Sequence, residues 1–202
     1  MASIIVSRGA QSLGKTFSYS ETISADGALL KDPTLAAAKT GTLSTRSSDT
    51  AGTLTMSSGH GITDGAKIDI YWSTGQCTTA TVGTVATNSV PFTGATGDVL
   101  PAQGTSITAM VQHIENFNFV DGDLNALCVG AGFAACSVTF IDSGNSVVGV
   151  VRVKAGSTAQ KQYIWDEDSG ATIPVSADVE TIAMTHGDSA SSQVVTCLAL
   201  VD

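Results

Sequence analysis

Charge is scarce in this 202-residue chain. Charged residues make up 13% of it, about half the share in an average soluble domain. The 9 Lys and Arg residues are scattered, and with 18 Asp and Glu the net charge is −9. A surface that neutralises phosphates needs a basic stripe, so direct sequence-specific nucleic-acid binding is not expected. Repulsion from anionic lipid argues against a membrane partner as well. Aromatic residues are also few, at 5% against a hydrophobic total of 43%. A core must therefore be built mostly from Val, Ile, Leu and Ala, and there are enough of them for the chain to fold. No stretch approaches the roughly 20 apolar residues that span a bilayer. The opening MASIIVSRGAQSLGK lacks a basic leader followed by an apolar run, so no signal peptide is expected.

Catalytic motifs are missing too. There is no G-x-S-x-G elbow and no strand–Ser–helix turn to expose a nucleophile. There is no P-loop, and SGHGITDG joins strands rather than opening a helix, so it does not read as a phosphate cradle. Cys77, Cys128, Cys136 and Cys197 match neither a C-x-x-C pair nor a zinc ribbon. Cys128, Cys136 and Cys197 lie in apolar surroundings and are expected as buried thiols. A Cys128–Cys136 or Cys136–Cys197 disulfide is the alternative. The expectation is a non-enzyme with no catalytic residue, cofactor or metal.

Several groupings of polar and aromatic residues run against that expectation. His60 with Asp64 and Asp69 has the residue types of a metal site, but a loop histidine beside solvated carboxylates explains it more simply. His186 with Asp188 reads as a turn, and His113 has no evident partner. The acidic run DEDSG from Asp166 to Gly170 offers oxygen ligands but departs from the EF-hand pattern, so a solvated loop is expected. Trp72 and Trp165 sit in strand patterns; core or interface packing is expected of them, with a carbohydrate-stacking platform as the alternative.

What the chain does contain is β signal. Alternation with period two marks strands at 16–24, 42–45, 52–57, 66–72, 78–85, 88–92 and 106–111. It continues at 114–120, and further strand signals lie at 124–129, 137–142, 146–153, 159–165, 179–185 and 193–201. In AKIDIYW, Ile68, Ile70 and Trp72 share one face, while Lys67, Asp69 and Tyr71 take the other. The segments 124–129 and 137–142 are continuously apolar, as expected of strands buried on both sides. Ser143, Gly144 and Asn145 form a hairpin turn. Pro91 and Pro101 cannot donate to a ladder and should mark strand edges or ends. The best helix candidate follows Asp32 as a cap, with Pro33 at the first helical position and Gly41 as its stop.

Short strands punctuated by Gly, Asp and Asn turns suggest a compact barrel or sandwich. The expected fold is all-β with two β modules and at most one or two short helices. A small barrel or sandwich at 41–111 is inserted into, or sits beside, a β-sandwich of 16–40 plus 112–202. Residues 1–15 form a flexible N-terminal arm.

The runs GTLTMSSGHGITDGAKIDIYW and VGTVATNSVPFTGATGDVLPA, with the ending SSQVVTCLALVD, resemble small virion structural proteins of tailed bacteriophages. The resemblance implies an all-β protein present in many copies on the virion, as a capsid decoration (cement) protein or a tail protein such as a tail-tube component. Its partners would be further copies of itself and other virion proteins such as the major capsid protein. It would be assembled in the host cytoplasm and located in the virion. The Gly-rich loops at 57–65 and 93–98 are the expected contact surfaces. From a different class, a glycan-binding or adhesive β-module is the alternative.

Overall fold

The computed structural model describes residues 4–10, 15–21, 28–31, 33–116, 124–142, 144–153, 155 and 179–201. It is all-β: the described residues form strands β1 to β16 and no helix. The chain divides into two compact units, one of Leu35–His113 with Met184–Gln193, the other of Met1–Thr34, Ile114–Ala183 and Val194–Asp202.

The first unit is built on a closed six-stranded antiparallel barrel. Its strands are β5 (Lys39–Arg46), β6 (Ala51–Met56), β7 (Lys67–Trp72), β8 (Gly75–Val82), β9 (Ser89–Thr93) and β10 (Ser106–Val111). Around the barrel the order is β10-β5-β6-β9-β8-β7. Period-two alternation aims Leu43, Leu54, Val90, Phe92, Ile68 and Ile70 inward. Ile62 and Leu100 complete this core from the loops. Closure leaves no free sheet edge, and a barrel of so few strands is filled by side chains.

Two glycines permit the tight curvature. A Cβ at Gly41 would meet Met56 Sδ at 2.6 Å, and one at Gly52 would meet the Thr45 carbonyl at 2.4 Å. Gly41 therefore belongs to a strand and does not stop a helix. The helix expected after Asp32 does not form. Thr34–Leu35 is instead a strand, β4, paired with β16 (Gln193–Val201). Leu35 is fully buried, and the Ala38 N–H donates to the Asp188 carbonyl at 2.9 Å. A helix of about two turns has little stability of its own, so tertiary pairing prevails. Pro91 also departs from expectation, because it sits in the middle of β9 between two paired strands. Its carbonyl still accepts from the Gly83 N–H at 2.8 Å, so only the missing donor is lost. Pro101 lies outside the strands, as expected.

The other unit contains the hairpin β1 (Ile4–Ala10) and β2 (Lys15–Glu21), and two sheets. β1 falls within the segment expected as an arm; its β-branched IIV start suits a strand. One sheet runs β11-β15-β13-β14, with β11 His113–Asn116, β13 Cys136–Asp142, β14 Val147–Val153 and β15 Val179–His186, of which His113 and the last three residues of β15 fall in the barrel unit. The other runs β12-β16-β3, with β3 Ala28–Lys31, β12 Leu124–Ala131 and β16 Gln193–Val201. β13 is buried on both faces, as its apolar run implies. The turn into β14 is closed by Asn145 at φ 63° and by the Ser146 N–H donating to Asp142 Oδ1 at 2.7 Å. Cys136 and Cys77 are buried thiols, so neither disulfide through Cys136 forms. The strand expected at 159–165, Trp165 and the acidic run Asp166–Gly170 lie outside the described residues.

Candidate functional site

The outer face of β7 should be wet, because Lys67, Asp69 and Tyr71 alternate with its apolar residues. Only Lys67 is exposed; Asp69 is 1% accessible and Tyr71 7%. The cover comes from Met184–Gln193, which the sequence groups with the C-terminal strands and the fold assigns to the barrel unit. This segment, the strap, lies against β7 and β10. Thr108 Oγ1 donates to the Gly187 carbonyl at 2.9 Å. Gly187 packs so closely on the Tyr71 ring that a Cβ there would stand 2.9 Å from Tyr71 Cγ.

Beneath the strap, Asp69 gathers donors from three directions. Oδ1 accepts from the Thr79 N–H at 2.7 Å and from Gln112 Nε2 at 3.1 Å. Oδ2 is hydrogen-bonded to Thr185 Oγ1 of the strap, and Thr185 Oγ1 to the Tyr71 hydroxyl at 2.5 Å. The Thr79 amide is free to bond a side chain because the β7–β8 register shifts between Ile68 and Ile70. That bulge sets two residues against one and holds Thr79 at φ 59°. Burial, the largest influence, raises the Asp69 pKa; the hydrogen bonds from Thr185, Thr79 and Gln112 oppose it, and the nearby Asp98 adds to it. The arrangement has the parts of a proton relay, yet Asp69, Tyr71, Thr185 and Gln112 are all buried. It is built to hold the strap.

The other candidate residues serve as loop fasteners. His60 Nδ1 accepts from the Ile62 N–H at 3.0 Å, which leaves the proton on Nε2 to donate to the Thr87 carbonyl at 2.9 Å. Asp64 Oδ1 accepts from the Val85 N–H at 2.8 Å. The grouping His60, Asp64 and Asp69 is thus not brought together, and no metal-holding cluster occurs among the described residues. His186 and Asp188 do form a turn: the Asp188 N–H donates to His186 Nδ1 at 3.2 Å, and Asp188 Oδ1 accepts from the Ala190 and Ser191 N–H groups. His186 is fully buried, and its Nε2 has no hydrogen-bond partner. Cys77 donates to Asp98 Oδ2 at 3.2 Å, and the same oxygen accepts from the Ala95 N–H at 3.0 Å. Burial first, then Asp98, push the Cys77 thiol far up, which removes it as a nucleophile. Trp72 packs against the barrel core and over Gly75.

The sequence did not single out Gln112, Thr185 or Thr79, and it read Asp69 as a solvated acid. The available signal was Tyr71, a large ring on the parity assigned to solvent. Compared with known proteins, the chain matches no family model, no curated protein and no solved structure.

Proposed function

We propose that this chain is a non-enzymatic virion structural protein of a tailed bacteriophage, acting as a capsid decoration or cement protein through contacts repeated in many copies. The observation that carries the reading is how the barrel unit uses its polar groups. Asp49, Asp64, Asp69, Asp98 and Asp188 each accept a hydrogen bond that fixes a turn, a bulge or the strap. Outside the barrel, by contrast, short neutral hydroxyls face outward. The register aligns Ser106, Thr42, Thr55 and Ser89 in one row across four strands. Covering such a face costs far less desolvation than covering Lys and Glu.

The loops at 57–65 and 93–98 are fastened by His60, Asp64 and Asp98. Contact surfaces that are already ordered lose little entropy on binding. The partners proposed are other copies of the chain and the major capsid protein, with the virion as location. The test is to label purified particles of the encoding phage with an antibody to this chain. Head labelling, with capsids losing heat resistance when the chain is stripped, is the expected result. Labelling confined to tails favours a tail protein. Absence from particles, with glycan binding lost on Trp72→Ala, favours the adhesive module.

A further inference from the structure

We propose that the strap Met184–Gln193 is a proton-operated latch, held to the barrel through Asp69 and loosened as that carboxyl loses its proton. The geometry assigns the proton. Both partners of Oδ1 are N–H donors, Thr79 N and Gln112 Nε2, so Oδ1 accepts in either state. Oδ2 meets only the Thr185 hydroxyl, which in turn meets the Tyr71 hydroxyl. With Asp69 protonated, Oδ2–H donates to Thr185 Oγ1, and Thr185 donates to Tyr71. With Asp69 ionised, the relay reverses: Tyr71 donates to Thr185 and Thr185 to Oδ2. The strap therefore keeps its bonds in both states, but only the ionised state holds a charge 1% accessible to water.

The surroundings do not offset that charge. The three donors are neutral. The other titratable groups nearby are the Tyr71 phenol on β7, the Cys77 thiol on β8, and Asp98 in the loop after β9. The strap brings His186, whose Nδ1 accepts from the Asp188 N–H, and Asp188, whose Oδ1 accepts from the Ala190 and Ser191 amides, and His113 follows Gln112 in the chain. The burial that raises the Asp69 pKa vanishes when the strap lifts and water reaches Oδ2. Linkage then requires that lifting become easier as pH rises. The chain crosses between the two units at both ends of the strap, so the latch governs a doubly connected segment.

The experiment is amide hydrogen exchange of the full-length protein from about pH 4, the ordinary carboxyl range, up through the Asp69 midpoint, corrected for intrinsic exchange. Asp69 is titrated in parallel by carboxyl carbon-13 NMR. Strap protection should fall by up to about tenfold per pH unit, the limit for one linked proton, as pH rises from the ordinary carboxyl range to the Asp69 midpoint, and should level off above it. Asp69→Asn, whose amide mimics the protonated carboxyl, should hold the strap with no such slope. If Asp69→Asn does not fold, Thr185→Val carries the test: it removes a hydrogen bond that lowers the Asp69 pKa, so the Asp69 midpoint and the pH at which protection levels off should move up together. A slope that persists in Asp69→Asn, or a levelling-off that does not follow the midpoint in Thr185→Val, overturns the proposal. So does flat protection below the Asp69 midpoint, or loosening on acidification.

Discussion

The barrel interior and the seam beneath the strap are equally buried, and they hold together in different ways. Inside, Leu54, Val90 and Ile68 are packed without a polar atom to satisfy. Their cohesion is non-directional and scales with area and packing. In the seam, Asp69, Tyr71, Thr185 and Gln112 depend on donors placed within hydrogen-bond reach. Removing one partner there leaves a buried group unsatisfied. The interior should tolerate swaps that conserve volume, and the seam should tolerate only swaps that conserve hydrogen bonding.

The largest expected effect lies in the interior. Leu54→Ala leaves a cavity at a fully buried site and should cost about 2–5 kcal/mol in denaturant unfolding, while Leu54→Met should cost under about 1.5 kcal/mol. Similar losses for the two would contradict a close-packed core. Next comes Gln112→Ala, which removes a donor from Asp69; about 1–3 kcal/mol is expected. The loss should be larger above the Asp69 midpoint than below it, because the ionised carboxyl needs the donor more. An equal loss on both sides of the midpoint would separate Gln112 from the charge.

The sign for Asp69 itself follows from linkage. Its folded pKa is raised above the ordinary 3.8 by burial. The favourable contribution of the protonated form is fully present below that ordinary value, and it is lost as pH rises through the folded one. Asp69→Asn should therefore gain stability relative to the parent as pH rises over this range, read from parallel unfolding curves. A constant difference would break the contrast between seam and interior. The smallest effect is expected at His60→Ala, which loses two hydrogen bonds in a partly exposed loop. About 1 kcal/mol is expected there, with the barrel strands unchanged by amide exchange.

How much was legible in the sequence follows the same division. Period-two patterning located β6, β7 and β10 because their inward residues are apolar and their neighbours polar. It failed at Asp32–Gly41, where local helix signals lost to pairing with β16 and burial of Leu35. It failed again at Asp69, because alternation reports which side of a strand faces away from the core and says nothing of what later covers that side. The cover arrives more than a hundred residues on, as Thr185, and no local pattern announces so distant a partner. The loop fasteners were visible only as Gly and Asp turn residues.

The strap also decides where this protein can be cut. A gene fragment encoding Leu35–His113 would contain every strand of the closed barrel, yet it would expose Asp69, the Tyr71 ring and the bonding positions of Thr108 and Ala38 to water. The barrel is closed as a sheet and open as a cassette. Transplanting it intact requires a ten-residue graft, Met184–Gln193, taken from the far end of the chain.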